Sequence, residues 1–250
     1  MSKKIKSPNE KGHGFLWALV AVLVVAVIVI GYIITSSDGE KQAANGTSTT
    51  GTETEAVEIE AGQTEAVDFN VDLHDGYITL SADSADADTP TVDLYEDYSC
   101  PHCAELAEAT DAEMKDAVTA GDLVVNIHPL NFVAGGDEGH STRAGTAAMV
   151  VAGSGDAELY WNYRKALLEN QRKIFDRWTY ATFADAAVRL GADDELAEKI
   201  RTGGEQGEFE KAASANAEKL KEQTGKVSSP RIIRDGKDVD LNNWVATVAG

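Results

Sequence analysis

Basic side chains are scarce in this chain. Its 250 residues carry 22 Lys and Arg against 42 Asp and Glu, a formal net charge of −20. A protein that grips a nucleic-acid backbone neutralises phosphates with lysine and arginine, so this balance excludes nucleic acid as a partner. Cysteine is scarcer still, with two in the whole chain, and neither lies just after the apolar segment near the N-terminus, which excludes a lipoprotein. Charge is missing altogether from Phe15 to Ile34, a run of 20 residues. At about 1.5 Å per residue a helix of that length spans roughly 30 Å, the hydrocarbon thickness of a bilayer. From Thr35 to Ala56 it is Val, Ile, Leu and aromatic residues that are missing. A segment of that composition cannot bury enough apolar surface to order itself. No internal repeat is present, so a repeat architecture is excluded as well.

These absences divide the chain into a cytoplasmic tail over 1–14, a transmembrane signal anchor over 15–34, a disordered linker over 35–56 and a soluble domain over 57–250. Lys3, Lys4, Lys6 and Lys11 precede the apolar run with only Glu10 against them. The positive end is therefore expected to stay in the cytoplasm, which puts the acidic domain on the extracytoplasmic face of the cell membrane as a single-pass protein. A cleaved signal peptide would have an apolar core of about 7 to 15 residues and an Ala-x-Ala-like site. Here the run is longer and Thr35-Ser36-Ser37-Asp38 follows it, so the anchor is expected to remain. The 194 residues of the domain are enough for a sizeable core.

Within the domain, Gly76–Ser81 and Thr91–Glu96 are short β-prone runs separated by an acidic, proline-containing turn. Beyond Cys100, the apolar positions Cys103, Leu106, Ala107, Met114, Ala117 and Val118 recur at steps of three and four until Gly121, which predicts a helix. Leu123–Ile127 is apolar and β-branched and ends at His128-Pro129, which suits a buried parallel strand. Together these make a βαβ unit with both cysteines at the strand-to-helix turn. A long Ala-, Leu-, Glu- and Lys-rich region, about 138–224, reads as all-helical. It is followed by a hairpin across Asp235-Gly236 and a terminal helix from Leu241 to Ala249. The fold class is α/β, with strands at both ends enclosing a helical insertion.

The two cysteines stand in Cys100-Pro101-His102-Cys103. A haem attachment site needs His directly after the second Cys, and position 104 is Ala. Zinc needs two more ligands, and no two of His74, His128 and His140 are at finger spacing, so no metal is expected. A structural disulfide suits an exported domain, yet a four-residue loop gains only about 2 kcal/mol from the chain-entropy relation. A redox dithiol is the stronger reading, because the pair lies at a strand-to-helix turn within a βαβ pattern. In that reading Cys100, where the free N–H groups of the helix start favour a thiolate, is the exposed nucleophile. Pro101 sits where no intrahelical N–H bond is lost. His102 is placed to donate to the thiolate, and Cys103, on the apolar face, is the buried resolving thiol. Glu96, Asp97 and Glu105 are nearby acids that oppose the thiolate.

At these residues the sequence resembles the DsbA-like branch of the thioredoxin superfamily, and most closely its membrane-anchored Gram-positive, MdbA-type members. The resemblance runs from about 75 to 250. It rests on Thr91–Cys103 leading into the Cys-Pro-His-Cys motif, on His128-Pro129-Leu130, on Tyr160–Gln171 and on Gly225-Lys226-Val227-Ser228-Ser229-Pro230. It implies a thioredoxin fold with a helical insertion and a redox-active Cys100–Cys103 disulfide with no other cofactor. It further implies that Pro230 is a cis proline facing the dithiol, with Ser229 before it presenting backbone to a bound substrate strand. Ser229 stands where Thr is more usual, and Leu94 stands where many relatives hold a buried acid, leaving Glu96 as a substitute proton relay to Cys103.

The function expected on these grounds is a disulfide-forming thiol oxidase. Its implied partners are unfolded exported proteins with reduced cysteines, a membrane reoxidase of DsbB or VKOR type, and membrane lipid around the anchor. The same fold run as a reductase or isomerase is the first alternative, although 57–90 is too short for the dimerisation module an isomerase would carry. A non-catalytic surface domain with an inert disulfide is the second. His140 is expected to cap or flank a helix and His74 to lie on the surface. Tyr160, Trp161, Tyr163 and Trp178 are expected in the core.

Overall fold

A strand earns its place in this protein by alternation, and β3, Thr91–Glu96, shows how. Val92 and Leu94 face the core at 1% and 2% exposure while Thr91 faces water. The computed structural model describes residues 64–136 and 139–250. The tail, the apolar run 15–34, the linker and the start of the domain at 57–63 lie outside them. No helix among the described residues is long and apolar enough to cross a membrane.

Four further strands surround β3: β1 (Asn70–Leu73), β2 (Ile78–Ser81), β4 (Val124–Pro129) and β5 (Arg231–Arg234). With the two-residue β6 (Lys237–Asp238) they make one sheet in the order β1-β2-β4-β3-β5-β6. Only β3 and β4 run parallel, joined by α1 (Pro101–Ala120), so the βαβ unit occupies the middle of the sheet. The antiparallel partners extend it on both sides. β1 was not anticipated from the sequence. It is an edge strand with one buried residue, Val71, which gives little hydrophobic signal.

β4 also differs from the apolar strand expected. Val125 and Ile127 face the core, but Asn126 turns to the opposite face, where it accepts from Thr79 Oγ1 (2.8 Å) and donates to Asp93 (3.3 Å). Helix α1 stops at Gly121, whose φ of 78° belongs to the left-handed region that glycine tolerates, and whose N–H reaches back to the carbonyls of Ala117 and Val118. Asp235 and Gly236 at the β5–β6 turn also have positive φ, as a two-residue hairpin requires.

Between β4 and β5 lie α2 (His140–Ala152), α3 (Ala157–Glu169), α4 (Gln171–Ile174), α5 (Tyr180–Arg189), α6 (Asp194–Thr202) and α7 (Gln206–Thr224). Helix α8 (Trp244–Ala249) closes the chain. α3 and α6 start from Asp156 and Asp193, whose carboxylates accept the N–H groups of Leu159 and Leu196. Tyr160, Trp161, Tyr163 and Trp178 are all in the core. Burying each aromatic ring contributes about 2 kcal/mol or more. The indole of Trp244 packs under α1 and donates to Thr110 Oγ1 at 3.1 Å.

Candidate active site

Cys100 is the residue at which β3 gives way to α1. It has extended backbone (φ −83°, ψ 114°) and caps the helix, with Pro101 at the first helical position. Its N–H donates to the Asp97 carbonyl at 2.9 Å. Cys103 lies one turn on, 2% exposed, and its sulfur accepts the peptide N–H of Asp97 at 3.4 Å. The two sulfurs are unlinked here, so the structure is of the dithiol form.

Opposite the dithiol is the turn before β5. The Ser229–Pro230 peptide is cis. The Cys100 thiol donates to the Ser229 carbonyl at 3.4 Å, across 129 residues of sequence. The buried Ser229 hydroxyl has no hydrogen-bond partner, and beside two sulfurs it is free to donate to a thiolate once one forms. Pro230 lines a narrow cavity with Cys103, Glu96, Asp111, Arg164 and Trp244. A separate hollow of about 590 Å³, lined by Leu73, Met149, Leu159, Leu196 and Lys199, includes none of these residues.

The electrostatics separate the two thiols. Cys100 is brought down from the ordinary thiol range to about 5, chiefly by the hydrogen bond from the Cys103 thiol. Burial opposes this, while Ser229 and the peptide N–H groups of Cys103 and His102 reinforce it. The Cys103 thiol is pushed well up, first by burial and then by the neighbouring Cys100 charge. One sulfur is therefore a thiolate at neutral pH and the other a thiol.

Three sequence expectations need correction. Cys100 is not an exposed nucleophile: its sulfur meets the Ser229 carbonyl, and only 5% of the residue's surface is accessible. His102 does not turn its ring to the sulfur. The imidazole is exposed and pairs through Nδ1 with Glu105 Oε2 at 2.9 Å, which raises its pKa, and it is the His102 peptide N–H that reaches Cys100. Glu96 is not a free acid. Both its oxygens are held by Arg164 of α3, at 2.9 and 2.7 Å, and the same guanidinium reaches Asp111 at 2.8 Å. A bidentate pair of this kind fixes the position of the carboxylate and engages both of its oxygens.

Four residues of the site had no role in the sequence reading, or a lesser one. Asp97 had appeared only as a charge opposing the thiolate. It is fully buried, and its carboxylate accepts from Ser99 N (2.8 Å), Ser141 Oγ (2.6 Å) and Val133 N (3.0 Å). Gln171 Nε2 donates to the carbonyls of Tyr98 (2.8 Å) and Cys100 (3.0 Å), so α4 holds the backbone at the nucleophile. Arg164 carries a legible signal, a charge directly after the aromatic-rich run Tyr160–Tyr163; Ser141 and Gln171 carry none. His140 opens α2 with its ring buried between Phe175 and Phe183, where burial lowers its pKa to about 4. His74 is exposed and stacks on Tyr77. Among the described residues no cluster of His, Cys, Asp and Glu could hold a metal.

A sequence family described as thioredoxin matches residues 84–249, which take in both the dithiol and the Ser229–Pro230 turn. The chain belongs to the thioredoxin family. Among solved structures it is similar to the MdbA thiol-disulfide oxidoreductase of Corynebacterium diphtheriae. The two are 48% identical with a TM-score of 0.73, covering 75% of this chain and 96% of that one. MdbA of Corynebacterium matruchotii is 41% identical at a TM-score of 0.72, covering 74% and 94%. DsbA of Mycobacterium tuberculosis, at 15% identity and a TM-score of 0.55 over 70% and 93%, shares the fold. Among curated proteins, the serine/threonine-protein kinase PknE of Mycobacterium tuberculosis is 29% identical over 164 residues, 62% of this chain. The chain spans only 28% of the length of that kinase. With its dithiol geometry and its likeness to the MdbA proteins, this thioredoxin-family chain is a thiol-disulfide oxidoreductase.

Proposed function

We propose that this oxidoreductase runs as an oxidase, passing a Cys100–Cys103 disulfide to reduced cysteines of newly exported proteins. The observation that carries the reading is the separation of the two thiols, with Cys100 near 5 and Cys103 well above the ordinary thiol range. A stabilised thiolate favours the reduced enzyme, and each unit of depression adds about 1.4 kcal/mol to the driving force for giving the disulfide away. A substrate thiolate attacks Cys100, the outer sulfur of the pair, and Cys103 leaves. A second substrate thiolate then attacks the mixed disulfide and releases the substrate oxidised. The half-buried turn at Ser229, beside Cys100, is where an extended substrate strand would lie, and no cofactor beyond the dithiol enters the cycle.

The anchor over 15–34 and the linker over 35–56 support placing the domain on the extracytoplasmic face of the cell membrane, where newly exported chains emerge. A membrane reoxidase of DsbB or VKOR type would restore the disulfide. The deciding experiment measures the Cys100 pKa by thiolate absorbance and the reduction potential against a thiol–disulfide buffer. An oxidase requires a potential nearer the about −120 mV of DsbA than the about −270 mV of thioredoxin. A value at the thioredoxin end would make the chain a reductase.

A further inference from the structure

The attacking group in dithiol exchange is a thiolate, and it must approach a chain whose net charge is −20. Like charge across such a surface opposes that approach. The rim of the dithiol carries the other sign. His102, two residues past Cys100, holds an exposed ring whose pKa is raised first by its hydrogen bond to Glu105 and then by the charges of Glu105 and Cys100. Arg172 follows Gln171, the residue that binds the Cys100 carbonyl at 3.0 Å, so α4 carries its guanidinium to the first turn of α1. There its Nη2 lies 3.7 Å from Glu105 Oε1, while Glu105 Oε2 takes the His102 ring at 2.9 Å. One carboxylate thus stands between two cations, and the sum of the three is positive. The Arg172 side chain is 83% exposed and 3.7 Å is beyond hydrogen-bonding range, so its fork of N–H donors stays open to solvent. Arg231, two residues past Ser229, instead commits its guanidinium to Asp238 and Ser228.

We infer that Arg172 and His102 form a cationic rim that selects substrate segments with an acidic residue beside the attacking cysteine. The inference deepens the oxidase reading proposed above and rests on it. An aspartate or glutamate next to a cysteine keeps that thiol protonated and so slows its attack in water. At the rim the carboxylate meets the Arg172 fork, whose geometry matches it, and the adjoining thiolate enters the field of both cations. The substrate that is slowest in water therefore gains most here. The exchange itself is unchanged. The substrate thiol gives its proton to water, its sulfur bonds to Cys100, and the Cys100–Cys103 bond breaks with its electron pair on Cys103, which takes a proton from water. Arg172 contacts the flanking carboxylate and not the reacting sulfurs, so it is a specificity residue. Its exposure limits the gain, because charges in solvent are screened by salt.

The test follows reduction of the oxidised full chain, in detergent, by dithiol peptides that differ only in carrying Glu, Gln or Lys beside the first cysteine. Each rate is divided by that peptide's rate with a small neutral disulfide, which removes the effect of the flanking residue on the thiol itself. At about 0.1 M salt, where the screening length is about 10 Å, the Glu peptide should lead the Lys peptide about fivefold, the scale of one well-placed exposed ion pair. The lead should close near about 1 M salt. Arg172→Gln should cut it to under about twofold while the rate of the Gln peptide holds, Arg172→Lys should keep most of it, and Arg172→Glu should invert it. Lys173→Gln removes a neighbouring exposed charge of the same helix and should keep most of the lead. Equal normalised rates for the Glu and Lys peptides, a lead that survives Arg172→Gln, or one that falls as far in Lys173→Gln overturns the inference while leaving the oxidase reading intact. A wild-type chain that oxidises none of the peptides overturns the oxidase reading itself.

Discussion

Arg164 holds Glu96 with two parallel hydrogen bonds, Nε to Oε1 at 2.9 Å and the terminal nitrogen to Oε2 at 2.7 Å, with both residues 2% exposed. This bidentate pair ties α3 of the helical insertion to the end of the strand that delivers the dithiol. The third donor of the guanidinium goes to Asp111 on α1, so one cation joins insertion, strand and catalytic helix. Removing it leaves two buried carboxyls with no counter-charge. Arg164→Met should therefore lose about 3–5 kcal/mol of stability at neutral pH in chemical denaturation. The loss should shrink as pH falls and the stranded acids take up protons. A loss under about 1 kcal/mol would show that the pair is not maintained in solution.

The two cysteines should behave oppositely on substitution. Cys100→Ser removes the only sulfur a substrate can attack and should abolish disulfide transfer. Cys103→Ser leaves that sulfur but removes the one that resolves it, so substrates should accumulate as mixed disulfides on a non-reducing gel. If neither variant trapped an adduct, the assignment of nucleophile and resolving thiol would be wrong.

Because the His102 ring pairs with Glu105 and lies in solvent, its charge acts on Cys100 only at a distance. His102→Ser should raise the Cys100 pKa by less than about one unit, and the difference should vanish near 1 M salt, where the screening length is about 3 Å. Ser229→Ala should raise it by a comparable amount at any salt concentration, since the orphan hydroxyl is buried. Thiolate titrations at two ionic strengths distinguish these outcomes. A salt-independent effect at His102 would mean that the ring swings onto the sulfur.

Stability should depend on redox state and pH together. A Cys100 pKa of about 5, far below that of an unfolded thiol, stabilises the reduced fold most fully above the unfolded value. The gain is lost at about 1.4 kcal/mol per pH unit on the way down, and is gone below about pH 5. The oxidised form has no such titration, and its four-residue loop contributes only about 2 kcal/mol. Thermal melts should show the reduced chain more stable at pH 8, with the order reversing towards pH 5. An oxidised form that melts higher at every pH would point to a structural disulfide.

Much of this site is local, and that part was legible. The Cys100–Cys103 spacing, the proline at the first helical position, the glycine that ends α1 and the hairpin at Asp235-Gly236 are each decided within a few residues by backbone geometry. Periodicity placed β2, β3, α1 and β4 in their order. It missed β1, whose single buried residue leaves no pattern to read.

The amino-acid sequence by itself determined the dithiol, its seat on a helix start, and an acidic domain behind an apolar run, because composition and spacing fix all of these. Only the tertiary structure decided what surrounds the sulfurs. Val133, Ser141, Arg164, Gln171 and Ser229 lie 36, 44, 68, 71 and 129 residues from the partners they bind at Asp97, Glu96 and Cys100. At such separations no propensity or periodicity links two residues, and packing of the insertion against the sheet alone brings them within hydrogen-bonding range. Packing also overruled the nearest neighbour in sequence: His102 sits two residues from Cys100, yet its ring follows the helix surface to Glu105, one turn along.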